Sequence, residues 1–165
     1  MGILRAGNIY ILSRQLYLKK VPFLPKILTG INRVVFACEL HFKADIDKTV
    51  RFPHDGLGVV IHEKAKVGKD TKILQHVTIG GNMGKKKLID GVLTSAPVIG
   101  NNVICGTGAK ILGPVKIGNY AKIGAGAVVM IDVPDYGVAV GIPAKVVKIS
   151  NEEKITNTNT DSNAN

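Results

Sequence analysis

The chain has 165 residues, of which 45% are hydrophobic and 5% aromatic, with 19 Gly and no Trp. That balance fits a single domain with a narrow, repetitive interior rather than a broad globular core. A net charge of +10 admits acidic partners, but no nucleic-acid-binding motif accompanies it and stacking aromatics are few, so nucleic acid is set aside. No apolar run reaches the length of a membrane span, the first residues lack a signal-peptide layout, and the two cysteines give no disulfide framework; the expected compartment is the cytoplasm.

Residues 1–38 are predicted to be helical in part. The stretch 14–18 is amphipathic, Pro22 and Pro25 interrupt it, and apolar spacing resumes over 26–36. Arg5, Arg14, Lys19, Lys20, Lys26 and Arg33 accompany it. A cap over the end of the following structure is the preferred role, with contact to a membrane surface the lesser one.

From Leu40 onward an aliphatic residue returns every sixth position. Leu40, Ile46 and Phe52 open the register; Ile61, Val67, Ile73 and Ile79 continue it; Ile99, Cys105, Ile111, Ile117, Ile123 and Val129 complete it. A second register of smaller residues runs four places later, at Val103, Ala109, Val115, Ala121, Ala127 and Val133. Helices and flat sheets have apolar periods of 3.6 and 2, so neither explains a period of six. Short strands joined by tight corners do, wound into a β-solenoid whose coils stack. Lys66, Lys72, Lys110, Lys116 and Lys122 fall on solvent-facing positions, which accounts for much of the charge.

Two breaks in phase stand out. Three extra residues fall around Gly56-Leu57-Gly58, and His54 sits in that break, where a distorted coil can aim a side chain outward. The second break throws out a loop over about 82–96, carrying Lys85-Lys86-Lys87. After the repeats, 39–149 in all, residues 150–165 turn Asn-, Thr- and Ser-rich and are expected to be a disordered tail.

Pro53-His54-Asp55-Gly56-Leu57-Gly58-Val59-Val60-Ile61-His62-Glu63 and Ile73-Leu74-Gln75-His76-Val77-Thr78-Ile79-Gly80-Gly81 together resemble the serine acetyltransferase branch of the hexapeptide-repeat acyltransferases. Gly106-Thr107-Gly108-Ala109-Lys110 and Gly141-Ile142-Pro143-Ala144-Lys145 extend the likeness, which spans about residues 39–147. The resemblance implies an all-β solenoid, a left-handed parallel β-helix, assembled as a homotrimer with active sites between subunits. It implies acetyl transfer from acetyl-CoA to a hydroxyl, with no metal.

By the same resemblance His54 matches the general base, a role that suits an imidazole because its pKa lies near neutrality. Glu39, fifteen residues upstream, matches the carboxylate that orients the ring, with Asp45 and Asp47 in reserve. Gly106, Thr107, Gly124 and Ala125 match positions along which the pantetheine arm runs, and Lys145 matches a basic position near the phosphates. Where relatives often carry Thr-Lys, this chain has Met130-Ile131, and the Lys85-Lys86-Lys87 run is a candidate replacement.

The acceptor is expected to be a sugar or polysaccharide hydroxyl. Serine acetyltransferases carry an Asp before the catalytic His and an Arg-His at the loop end, where this chain has Pro53 and Ser95-Ala96, so the charges that grip an amino acid are missing from those positions. L-Serine, acetylated on the route to cysteine, is the alternative acceptor. A zinc-dependent carbonic anhydrase is set aside because the spacings among His54, His62 and His76 do not match its ligand pattern. A non-catalytic structural solenoid is the remaining alternative; uninterrupted repeats would favour it, and the two breaks argue against it.

Overall fold

The computed structural model describes residues 5–82 and 84–149; the expected tail at 150–165 lies outside the described residues. The repeats form three parallel sheets. The first joins Glu39–Leu40, Val60–Ile61, Thr78–Gly80, Lys110–Leu112 and Val128–Val129. The second joins Asp45–Ile46, Lys66–Val67, Val98–Ile99 and Lys116–Ile117. The third joins Lys72–Ile73, Ile104–Cys105, Lys122–Ile123 and Gly137–Gly141, and is edged by the antiparallel strand Ala144–Ile149. The chain visits the sheets in turn, so each circuit stacks on the last, as the six-residue period predicts.

Burial follows the registers. Ile61, Ile73, Ile79, Ile111 and Ile117 are among the largest fully buried side chains, each stabilising the coil by roughly 1.5–3 kcal/mol on removal from water. Lys72, Lys110, Lys116 and Lys122 precede inward aliphatics and point out, as the pleat requires. Thr71 takes a small-residue position with 0% exposure because its hydroxyl is satisfied, donating to Gly100 O (3.0 Å) and accepting from Val103 N (3.2 Å). Phe52 and Val50, which the six-residue period also places inside, are only half-buried, beside a hollow between the first helix and the first coil.

The normal circuit is 18 residues, as in Lys110↔Val128 and Ile104↔Lys122. It is broken three times. Glu39↔Val60 and Asp45↔Lys66 are 21 apart, locating three extra residues at the His54 turn. Lys66↔Val98 is 32 apart, locating 14 more in a hairpin, Lys87–Ile89 against Val92–Thr94. Ile117↔Val133 and Ile123↔Ala139 are 16 apart, so the corner at Met130–Asp132 is two residues short. This third break corrects the sequence reading of Val133. It pairs with Ile117 of the first register rather than continuing the Val115 column, and an aliphatic suits both.

Two helices, α1 (Ala6–Leu18) and α2 (Leu24–Val35), precede the coil. Pro25 starts α2 in its first turn, where the missing N–H costs nothing, rather than interrupting a helix. Tyr10 fixes α1 across the first circuit: its hydroxyl donates to Ala44 O (2.7 Å) and accepts from Ile46 N (3.1 Å). Arg14 adds a bond to Lys43 O (2.7 Å) and a pair with Asp45 (3.3 Å).

Candidate active site

The three-residue insertion folds as a tight turn, Pro53–Gly56, between the third sheet and the first. Four positive φ angles shape it: His54 (55°), Asp55 (52°), Gly56 (75°) and Gly58 (68°). Two consecutive non-Gly residues in the left-handed region are uncommon, and such positions concentrate at functional sites. The turn is held by Leu57 N donating to His54 O (3.1 Å), Gly58 N to Ala37 O (2.9 Å) and His76 N to Leu57 O (2.8 Å). The His54 side chain is exposed, as expected from its place in the break. Its sequence neighbours Pro53 and Asp55 line a hollow of about 340 Å³ with Phe52, Arg51 and Arg5, and His54 itself is not part of that lining.

Glu39 is half-buried on the first strand, and its carboxylate pairs with Arg33 of α2. Among the described residues it makes no hydrogen bond to His54. The reserve carboxylates are also engaged: Asp45 by Arg14, and Asp47 by the Thr49 N–H (2.9 Å) and hydroxyl (2.8 Å).

Gly106, Thr107, Gly124 and Ala125 occupy the same edge of the coil as His54, where the third sheet turns into the first. The edge is a ladder of corners: His76 N bonds Leu57 O, Gly108 N bonds Gln75 O (3.0 Å), and Gly126 N bonds Thr107 O (2.8 Å). Lys145, exposed, pairs with Val140 at its lower end. The two inner glycines have a packing reason of their own. A Cβ on Gly106 would lie 2.7 Å from Ala125 N, and one on Gly124 would lie 2.7 Å from Val140 Cγ1. Coil stacking alone therefore requires glycine there.

His76 also belongs to this edge and was not singled out from the sequence. Its ring lies against Gly58, where a Cβ would come within 2.1 Å of His76 Nδ1. The available signal was spacing, since Gly58 precedes His76 by one circuit of 18. Next to it, Gln75 Oε1 is buried without a hydrogen-bond partner. His41 and His62 form a separate column on the first sheet. Burial pulls the His41 pKa below its ordinary value, against the opposing pull of Glu63. Among the described residues no cluster of His, Cys, Asp and Glu could hold a metal.

A cleft of about 730 Å³ lies at a different edge, where the first sheet turns into the second. Leu112, Met130 and Ile131 form its floor, and Lys85 and Lys87 of the hairpin reach its rim. The short corner at Met130–Asp132 makes room for it. Lys87 pairs with Asp132, and Lys116 with Asp90 (2.5 Å), so the hairpin is clamped back over the coil. Burial works against the Asp132 carboxylate, yet the Lys87 ammonium and the Lys116 N–H (2.9 Å) outweigh it and hold its pKa below the usual value.

The bacterial transferase hexapeptide (six repeats) family matches residues 96–130. The serine acetyltransferase of Bacillus pumilus is 39% identical over 144 residues, covering 87% of this chain and 63% of its own length. Soybean serine acetyltransferase complexed with serine is 41% identical with a TM-score of 0.76, over 86% of this chain and 56% of that one. A serine acetyltransferase in complex with CoA is 34% identical with a TM-score of 0.75, over 86% and 55%. The chain thus spans somewhat more than half the length of these relatives.

These comparisons overturn the sugar or polysaccharide acceptor expected from the sequence, because the relatives and structural neighbours are serine acetyltransferases. The sequence reading weighed only the charges missing at Pro53 and Ser95-Ala96, whereas the fold also gathers Arg5, Arg51 and Asp55 around one hollow. The 18-residue circuit, the three parallel sheets and the shared sequence agree on one likeness: the chain is similar to the hexapeptide-repeat transferases.

Proposed function

We propose that the chain transfers the acetyl group of acetyl-CoA to the hydroxyl of L-serine. The observation that carries this reading is His54, exposed at the three-residue break between Pro53 and Asp55, two residues that line a hollow with Arg5 and Arg51. A zwitterion needs both signs of charge, and the two guanidinium groups suit its carboxylate while Asp55 suits its ammonium. His54 takes the proton as the serine oxygen bonds to the thioester carbonyl carbon. The tetrahedral intermediate then expels the CoA sulfur, which takes that proton, leaving O-acetylserine and free CoA. Glu39 orients the imidazole once its carboxylate turns from Arg33.

The donor runs along the edge bearing Gly106, Thr107, Gly124 and Ala125, with Lys145 toward its phosphates. Gln75 Oε1, an unpaired acceptor on that edge, supports a ligand or neighbour arriving there. The hairpin cleft lies at another edge of the same coil, so one chain cannot bring it to His54. A homotrimer of left-handed coils, each edge facing the hairpin of the next copy, joins them, and the exposed Met130 in the cleft with the exposed Leu88 and Leu93 of the hairpin suit such an interface.

The test is thiol release from acetyl-CoA with L-serine, L-alanine and no acceptor, read beside the product's mass. L-Serine-dependent release with formation of O-acetylserine is expected. Release independent of L-serine, or none, overturns the reading.

A further inference from the structure

Helix α2 is mounted with its polar side inward. Its buried residues are Pro25 and Asn32; the Asn32 amide donates to Ala6 O (3.1 Å), and Ser13 of α1 donates to Pro25 O (2.8 Å). At 3.6 residues per turn, Leu24, Ile27, Ile31, Val34 and Val35 fall on one side, and all five are exposed, Val34 at 85%. Phe23, just ahead of the helix, continues the stripe at 78%. An amphipathic helix ordinarily buries the apolar face it carries, so a stripe turned to solvent lacks its counterpart.

Charge identifies that counterpart. Residues 1–38 contain no Asp or Glu and six Lys or Arg. Arg14 and Arg33 are paired with Asp45 and Glu39 of the coil. Lys19 and Lys20 lie in the connection next to Phe23, and Lys26 flanks Ile27. Two copies meeting through this face would bring like charges together with no acidic residue of the segment to offset them. An anionic lipid surface matches both features, taking the apolar side chains at the acyl boundary while the long lysine stems reach the headgroups. No described helix is long and apolar enough to cross a membrane, which is consistent with a helix lying in the surface.

We propose that α2 with Phe23 is a peripheral membrane-docking face for anionic bilayers, and that the chain works at such a surface. This role is compatible with capping the coil, since α1 grips the first circuit while the outward side of α2 stays free. In the trimer proposed above, coils running in one direction present three such faces at one end, and weak single contacts add.

The test uses the full chain in co-sedimentation with phosphatidylcholine vesicles, with and without roughly a third phosphatidylglycerol. Binding to the anionic vesicles alone is expected, weakening on the order of tenfold in about 0.5 M salt. Ile27→Glu with Val34→Glu should lower binding on the order of tenfold, with acetyl transfer, melting temperature and mass by light scattering unchanged. If that pair fails to fold, Lys19→Glu with Lys20→Glu gives the same readout from the connection. No binding to anionic vesicles, unchanged binding by the folded variants, or a smaller mass for the apolar variant overturns the proposal, the last by making this face a contact between copies. Activity of the unbound wild type is measured separately, so failure of docking and failure of the acetyltransferase reading are distinguished.

Discussion

Arg33 of α2 pairs with Glu39 at the start of the first coil, and the carboxylate proposed to orient His54 is held by that guanidinium. The two roles have different signatures. Glu39→Gln should lower turnover less than loss of His54 does, while Arg33→Ala should leave turnover intact or raise it by freeing the carboxylate. Arg33 is 65% exposed, so losing the pair costs about 0–1 kcal/mol. Equal small losses of stability in both variants, with turnover untouched, would make Glu39 a structural partner only; paired kinetics and thermal melts decide.

His54→Ala should lower turnover by about 10²–10⁴-fold, the usual contribution of a general base. Affinity for CoA, measured by calorimetry, should stay nearly constant because the base contacts the acceptor. Near-normal turnover would remove His54 from the mechanism.

Lys85 and Lys87 reach the rim of the hairpin cleft, but Lys87 is already paired with Asp132. Lys85→Ala should therefore raise the KM for acetyl-CoA by about three- to tenfold with kcat little changed, a loss of uniform binding. Lys86, absent from the cleft lining, serves as the control substitution. Identical kinetics for the two would assign the basic run to solvation.

The hairpin clamp should be sensitive to acid. The folded pKa of Asp132 is held below its ordinary value, so its contribution is complete above the unfolded value of about 3.9 and is lost as pH falls through the folded one. Hydrogen exchange of the hairpin amides should show protection at neutral pH that disappears on acidification below about pH 4. Asp132→Asn should show the reduced protection already at neutral pH.

Gly58 and Gly108 share a φ near 68–69° but differ in what surrounds them. An alanine at either adopts a backbone costing roughly 1–2 kcal/mol. At Gly108 the new Cβ meets nothing within 4 Å, whereas at Gly58 it lands 2.1 Å from His76 Nδ1. Gly58→Ala should thus be the more destabilising in denaturant titration and should also depress turnover by moving the His54 turn. Equal losses of stability would show that the His76 ring yields freely.

The architecture was legible because a coil writes its core at fixed spacing: each of Ile99, Cys105, Ile111, Ile117, Ile123 and Val129 is buried where the period places it. The two insertions were legible for the same reason, as losses of phase. The two-residue deletion at Met130–Asp132 was not, since Val133 fits either register. Partners across elements were also hidden. Nothing in the spacing says that Arg33 takes Glu39, that Lys87 folds the hairpin onto Asp132, or that Arg5 comes beside Arg51. A reading of the acceptor from fixed motif positions leaves out charge that the fold gathers from a helix start and a coil edge.

All three departures from the regular circuit fall at corners, and the sheets above and below them stay in register. Length can therefore be added or removed between faces without rotating any downstream side chain from interior to solvent. A residue gained inside a two-residue strand has no such refuge and would invert every rung beyond it. Innovation in such a chain is confined to its vertices, where the walls neither resist a graft nor register that one has occurred.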